Sequence, residues 1–521
     1  MIEIIGNNLE FRNPPNPYWI ASTPETNYPV LNEDIKVDIA IVGGGMTGIT
    51  AAYMLVKEGL KVAVVEGDRI LHGTTGHTTA KITSQHELIY ARLKRELGSE
   101  LAQQYADANE KAIRTIADII KENNIDCDFE PRTAYVYTQQ DKYVPQIEEE
   151  AQVAKDFGIK ASVTEEVSLP FAVKAALCFE EQAQFHPLKY LQALLPVITD
   201  AGSHIFENTQ AINIEEDKSC TVVTRDGKKI ESSAVIIASH YPFFDGGGLY
   251  FARVWQEKSY VVAITATGKY PEGMFISAED PARSLRTQKC ADGELILIGG
   301  EHHKSGQSPN TNSHYKNLID FAQTNFDVIN IPYRWSTQDC MTLDGVPYVG
   351  YLTSRSQKLY VATGFGKWGM TNSTVAATII KDLITKGESP WAPVYNPSRF
   401  NLASTGNLIV QNANVAVNYI SGKLKPALDN AQIAVGEANV IKVDDQKVGA
   451  YRDENGLLHV VDITCPHLGC ELSWNEAETT WDCPCHGSRF TYEGNLVEGP
   501  ALNGLNHPDQ GHNKVEPNVY Q

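Results

Sequence analysis

No run of apolar residues in this chain is long enough to cross a bilayer. The first residues, MIEIIGNNLEFRNPPNPYW, lack the basic start and apolar stretch of a secretory signal. Cations are few: 44 Lys and Arg stand against 64 Asp and Glu, a formal net charge of −20. That balance disfavours nucleic acid and anionic membrane surfaces as partners. No internal repeat, low-complexity tract, nucleophile motif or metalloprotease motif occurs. The expectation is a soluble, cytoplasmic protein with no transmembrane anchor and no nucleic-acid partner. Of nine Cys, five are isolated (Cys127, Cys178, Cys220, Cys290 and Cys340) and read as buried apolar thiols.

What is present is ordinary globular composition, 42% hydrophobic and 21% charged, over 521 residues. That length exceeds one core and predicts two or three domains. Near the front, the apolar run Val37–Val42 predicts a buried parallel strand. Gly43-x-Gly45-x-x-Gly48 follows, then a helical pattern closed by Gly59, a second strand Lys61–Val65, and Glu66. Together these make a dinucleotide-binding unit. Gly43 makes the tight turn, Gly45 admits a pyrophosphate to the helix N-terminus, and Gly48 lets helix and strand pack closely. Glu66 is placed to accept from ribose hydroxyls.

Near the C-terminus stand CPHLGC (Cys465–Cys470) and CPCHGS (Cys483–Ser488). They offer Cys465-x-His467 and Cys483-x-x-His486, with fifteen residues between His467 and Cys483. Two thiolates and two imidazoles can hold a [2Fe–2S] cluster or a structural zinc. Each block carries a further Cys, Cys470 and Cys485, for which a four-ligand zinc site has no use.

These blocks resemble the Rieske proteins of respiratory and photosynthetic complexes. The resemblance implies cluster ligands Cys465, His467, Cys483 and His486, and a disulfide Cys470–Cys485, unusual for a cytosolic protein. It also implies that Ser488 donates to a bridging sulfide and that Gly499-Pro500-Ala501 shields the cluster. High-potential members have Tyr where this chain has Phe490. A lost hydrogen bond predicts a lower potential, within the Rieske span of roughly −150 to +300 mV.

The segment DRILHGTTGHTTA, Asp68–Ala80, resembles the D-amino-acid oxidase and glycine oxidase family of FAD enzymes. Arg69 matches a residue near the adenosine; Thr74, Thr75 and Gly76 match a turn along the pyrophosphate and flavin. LYVATGFGKWGMTNSTVAATIIKDLI, Leu359–Ile384, matches the strand, turn and helix that meet the flavin ring, with Gly364, Gly366, Gly369 and Met370 in that turn. CMTLDGVPYVG, Cys340–Gly350, matches the segment before it. Ser239-His240 replaces the family's usual Thr-Gly after the strand from Val235. The resemblance spans about residues 30–395. In dimethylglycine dehydrogenase relatives a His matching His77 is joined covalently to FAD; a packing or hydrogen-bonding His is the alternative. Lys367 is the candidate catalytic residue, through anionic reduced flavin or a substrate carboxylate, with a solvated surface Lys as the alternative. Sarcosine oxidase relatives carry Lys where this chain has Thr371, which speaks against an amino-acid-like substrate. His302 and His303 read as surface or packing residues.

The expected architecture is an α/β FAD-binding domain (Rossmann-like, glutathione-reductase type) with an inserted antiparallel substrate domain, followed by an all-β Rieske domain. The oxidoreductase part is placed at 1–395, its nucleotide core at about 36–85, 180–245 and 335–385, and its substrate part at about 87–180 and 250–335. A linker with a helix at Asn407–Leu424 occupies 396–429, and the Rieske domain 430–521. Glu87–Asn124 carries long helical patterning. The expected function is oxidation of a small, amine-type electron donor at FAD, with electrons leaving singly through the cluster to a protein or quinone. The alternatives are an oxygen-using oxidase with a docking or redox-sensing Rieske module, and a pure electron-transfer protein; the direction of flow is open.

Overall fold

A computed structural model describes residues 14–399, 404–427, 433–443 and 446–507, and the backbone of two short strands, Glu3–Ile5 and Asn8–Glu10. Parts of the expected linker and of the Rieske segment (400–403, 428–432 and 508–521) lie outside the described residues. The chain forms two compact units. The first holds Met1–His303 and Ser313–Leu408; the second holds Lys304–Asn312 and Ile409–Gln521. The expected linker therefore falls across both.

The first unit centres on a six-stranded sheet in the order His204–Phe206, Val62–Val65, Ile39–Val42, Ala234–Ile237, Leu359–Thr363, Tyr348–Tyr351. All neighbours are parallel except the last pair. Its central strands are buried at every position and almost wholly apolar because both faces are covered. Ile39, Ile41, Val62, Val64 and Ile236 join one core, while Ala40, Val42, Ala63, Val65 and Val235 join the other. A four-stranded sheet (Ala211–Glu216, Cys220–Thr224, Lys229–Ser232, Ile35–Lys36) also belongs to this unit.

A nine-stranded, largely antiparallel sheet forms the inserted part. Its longest pair, Val254–Thr267 with Asp327–Thr342, runs antiparallel. The helical patterning of Glu87–Asn124 resolves into two helices, Tyr90–Leu97 and Ser99–Glu122. Gly98 breaks them at φ 86°, a left-handed turn that suits glycine.

The second unit has two small antiparallel sheets. One is Ala438–Val443, Gln446–Arg452 and Leu458–Asp462; the other is Ser473–Asn475, Thr480–Asp482, Arg489–Thr491 and Leu496–Glu498. The helix Thr405–Leu424 leads into it. Arg489, 11% exposed, lies near Asp482, Glu478 and Glu498 at 3.4–3.7 Å. Burial alone would weaken its charge; the three carboxylates more than offset that. Among the described residues no helix is long and apolar enough to cross a membrane.

One buried carboxylate ties strands to helix in the inserted part. Glu301 receives Arg283, His314 Nδ1 at 3.1 Å and Asn317 Nδ2 at 2.9 Å. Burial raises this carboxyl, but those donors bring it down to about 2 from an ordinary 4.5. The folded value lies below the unfolded one. The stabilisation is therefore complete above pH 4.5 and is lost as the pH falls toward 2. Glu301→Gln is expected to lower stability at pH 7 by about 1–3 kcal/mol. It should also flatten the loss of stability below pH 5, as read by urea unfolding against pH.

Candidate functional site

The glycine loop is built by close backbone approach. Gly43 has φ 112°, and a Cβ there would lie 2.4 Å from Ala238 O. A Cβ on Gly48 would lie 1.9 Å from Gly43 O. Both positions thus exclude side chains, leaving bare backbone at the N-terminus of the helix Met46–Lys57. Glu66 Oε2 accepts from Gly44 N at 2.8 Å and Oε1 from Asp68 N at 3.2 Å, at the end of its strand. Ser239-His240 closes the strand Ala234–Ile237, and His240 takes the left-handed φ of 63°.

The TTGH turn, Thr74–His77, lies over the same helix end. Thr75 Oγ1 accepts from Met46 N at 2.9 Å, and Gly76 packs on Leu71 O and Ile20. Thr74 Oγ1 donates to Gln338 O at 3.2 Å. His77 Nδ1 donates to Gly73 O at 2.9 Å, and the His77 carbonyl accepts from Trp335 Nε1 at 2.8 Å. Arg69 is at the rim and pairs with Glu25.

The late glycines meet this turn through the long strand pair. Gly364 (φ 74°) leaves room for Thr342, whose Cγ2 would lie 2.1 Å from an added Cβ. Gly366 N donates to Cys340 O at 2.8 Å. Gly369 and Met370 do not sit in the turn itself; they open the helix Gly369–Lys386. Thr47 and Ser373 hydroxyls meet at 2.9 Å, so two helix N-termini converge. Their N–H groups and positive dipole ends suit a pyrophosphate and the negative charge of reduced flavin. The residues present fit FAD on this ground: a cradle with no room for Cβ atoms, facing helix ends of the right polarity.

Lys367 is half-buried and makes no ion pair among the described residues. Beside it Trp368 stacks on His86, rings 4.9 Å apart at 24°. His86 donates from Nε2 to Thr83 O (2.8 Å) and accepts at Nδ1 from Tyr105 OH (2.6 Å). Burial pushes it down to about 3, so it stays neutral. Thr371 Oγ1 donates to Thr83 O at 2.7 Å, so a hydroxyl anchors the helix here. His86 belongs to no motif, and no sequence signal identified it.

Glu257 and Asp339 are a second pair invisible to motif reading. They are direct cross-strand partners. Asp339 shares its face with Trp335, which contacts His77, and with Met341, which packs against Gly366. The carboxylates thus stand on the face that meets both flavin-contact turns. Trp255 Nε1 donates to Glu257 at 3.1 Å and Ser259 Oγ to Asp339 at 3.4 Å. Strand alternation could have placed each on a face; only register brings them together.

In the second unit Cys465, His467, Cys483 and His486 converge. The two imidazoles meet edge to face, centroids 5.0 Å apart. Burial, then His486, pushes His467 down to about 3; burial pushes His486 to about 4. Both are thus neutral, as metal ligation requires. Cys465 donates to Cys483; with burial this raises Cys465 and, against burial, lowers Cys483. Gly487 N donates to the Cys483 carbonyl at 3.0 Å; the nearby N–H groups of His486, Cys485 and Gly487 lower Cys483, and the His467 N–H and Ser488 hydroxyl lower Cys465. Two adjacent sulfurs ringed by N–H donors, with two neutral imidazoles, are the donor set of a Cys2His2 [2Fe–2S] cluster. Cys470 and Cys485 are joined as a disulfide, Cα–Cα 6.5 Å, and Cys483 Sγ lies within 4.8 Å of both sulfurs. Ser488 Oγ accepts from Ala501 N at 3.0 Å, linking it to the Gly499-Pro500-Ala501 loop. Phe490 is fully buried in the apolar core that holds these cysteines.

Comparison with known proteins finds a family for each part of the chain. Residues 38–383 match the family described as FAD dependent oxidoreductase, and residues 423–509 match the Rieske [2Fe-2S] domain. The chain is 44% identical over 97% of its length to "Putative Rieske 2Fe-2S iron-sulfur protein YhfW" of Bacillus subtilis (strain 168), all of which is covered. It is 23% identical to the gamma-glutamylputrescine oxidoreductase of Escherichia coli (strain K12), over 70% of this chain and 88% of that one. Glycine oxidase from Geobacillus kaustophilus shares the fold, with TM-score 0.60 and 17% identity over 70% of this chain and 99% of that one.

Hydrogen bonds to cluster sulfur favour the reduced state. Ser488→Ala is therefore expected to lower the cluster potential and Phe490→Tyr to raise it. Each shift should be on the order of 50 mV, the one-electron equivalent of a hydrogen bond worth roughly 1 kcal/mol. EPR-monitored redox titration checks both.

Proposed function

Because the chain belongs to the FAD dependent oxidoreductase family and carries a Rieske [2Fe-2S] domain, we propose that it oxidises a small amine-type substrate at FAD and exports the electrons singly through the cluster. Bound FAD takes the two electrons of a hydride, and a [2Fe–2S] cluster carries one electron at a time. Gly43, Gly45, Gly48, Glu66, Thr75 and the Gly364–Met370 segment hold FAD, with Arg69, Thr74, Gly76 and His77 at its border. Cys465, His467, Cys483 and His486 hold the cluster, and Ser488 tunes it. The acceptor is a one-electron protein or quinone, and the compartment is the cytoplasm.

The observation that carries the substrate class is the Glu257–Asp339 pair. Two carboxylates side by side at this place suit a substrate ammonium, which they would bind and orient through charge-assisted hydrogen bonds. The E. coli relative's named substrate, gamma-glutamylputrescine, is an amine, which agrees. Lys367 is the candidate for stabilising negative charge on the flavin side.

Anaerobic stopped-flow mixing with a panel of primary and secondary amines tests this. An amine that bleaches the flavin should then reduce the cluster. Glu257→Gln and Asp339→Asn should raise KM for that amine at least about tenfold with flavin content unchanged. Cys465→Ser should leave flavin reduction intact and abolish turnover with one-electron acceptors. Full turnover with oxygen while the cluster stays oxidised would replace this reading with the oxidase one.

A further inference from the structure

The second unit is not built from C-terminal sequence alone. It includes Lys304–Asn312, which the chain supplies between the strand Gly293–Lys304 and the helix Asn312–Asn325. These residues grip the second cluster loop. Gly306, at φ 68°, runs so close that a Cβ there would lie 2.7 Å from Pro484 N and 2.9 Å from Cys483 C. Thr311 Oγ1 accepts from Ala477 N at 3.0 Å. Gln307 Nε2 donates to Pro484 O at 2.8 Å and to Asn414 Oδ1 at 2.8 Å, and Asn414 Nδ2 donates back to Gln307 Oε1 at 3.4 Å. Asn414, on the helix Thr405–Leu424, thus fixes the Gln307 amide in the orientation that donates to Pro484.

The peptide unit Pro484–Cys485 is the connection to the iron site. Its carbonyl accepts from Gln307, and its N–H donates to Cys483. Hydrogen bonds at both ends of one peptide group polarise it, and each strengthens the other. A stronger N–H···S bond withdraws charge from the ligand sulfur and favours the reduced, more negative cluster. We propose that Gln307 is a positioning residue for the iron–sulfur centre, raising its potential by holding and polarising the Pro484–Cys485 peptide. The inference rests on the Rieske reading of the C-terminal unit. A packing role alone would require that Gln307 affect stability and leave the potential where it is.

The test uses the full chain with both cofactors. Gln307→Leu removes the donor, and the near-isosteric Gln307→Glu replaces it with a carboxylate that repels the Pro484 carbonyl. Potentials and EPR g-values are measured beside iron and flavin content. In both variants the equilibrium constant for cluster reduction should fall about three- to tenfold, about 30–60 mV for one electron, with iron and flavin unchanged. Asn414→Ala, which frees the Gln307 amide to rotate, should produce a smaller shift in the same direction. Wild-type potential and g-values in iron-replete Gln307→Leu would overturn the tuning role. So would iron-free protein from both Gln307 variants, which would make the residue purely structural. A wild-type protein that binds iron without a Rieske spectrum would overturn both this inference and the reading beneath it.

Discussion

The first unit depends on backbone approach at one point: the contact of Gly48 with the Gly43 carbonyl, where a Cβ would sit 1.9 Å away. That contact seats the helix Met46–Lys57 against the sheet, with its positive N-terminal end at the glycine loop. The hydroxyl contact Thr47–Ser373 brings a second helix N-terminus beside it, and Thr75 caps the first at Met46 N. Partial positive charge is therefore concentrated where a pyrophosphate and a reduced flavin are most negative. The sheet beneath tolerates no displacement, because alternate residues of its strands fill two separate cores.

The second unit solves a different electrostatic problem. Two buried sulfurs lie side by side, and one holds a proton that the other accepts. Bound iron would supply the positive charge that this proton now provides. The backbone N–H groups of Cys485 and His486 favour the thiolate of Cys483, and Gly487, at φ 81°, donates its N–H to the Cys483 carbonyl. The histidines are kept neutral by burial, and the disulfide ties the two loops into one apolar core with Phe490. Potential is then a matter of how many donors reach sulfur and how well each is held. Ser488 and the Pro484–Cys485 peptide are the two controls proposed above.

The chain joins the domain of a two-electron cofactor to that of a one-electron centre. Strand register sets Glu257 against Asp339 on the face nearest the flavin turns. Trp255 and Ser259 each hold one of the two acids in place.

Much of this was readable before folding. Gly43-x-Gly45-x-x-Gly48 with Glu66, and the two Cys–His blocks, encode their geometry within short spans, where the chain has few ways to arrange the residues. Their cofactor classes follow from sequence alone for that reason. The helix Asn407–Leu424 was placed nearly as found, since its pattern is local; the break at Gly98 was not, since helical periodicity continues across a residue whose φ alone decides. Other features were decided only by tertiary structure. Glu257 meets Asp339 through strand register, Thr47 meets Ser373 across 326 residues, and Gln307 reaches Pro484 across 177. No local spacing specifies such pairs. They exist because hydrophobic burial fixes the sheets and helices first, and the polar partners are whatever that packing brings within hydrogen-bonding distance.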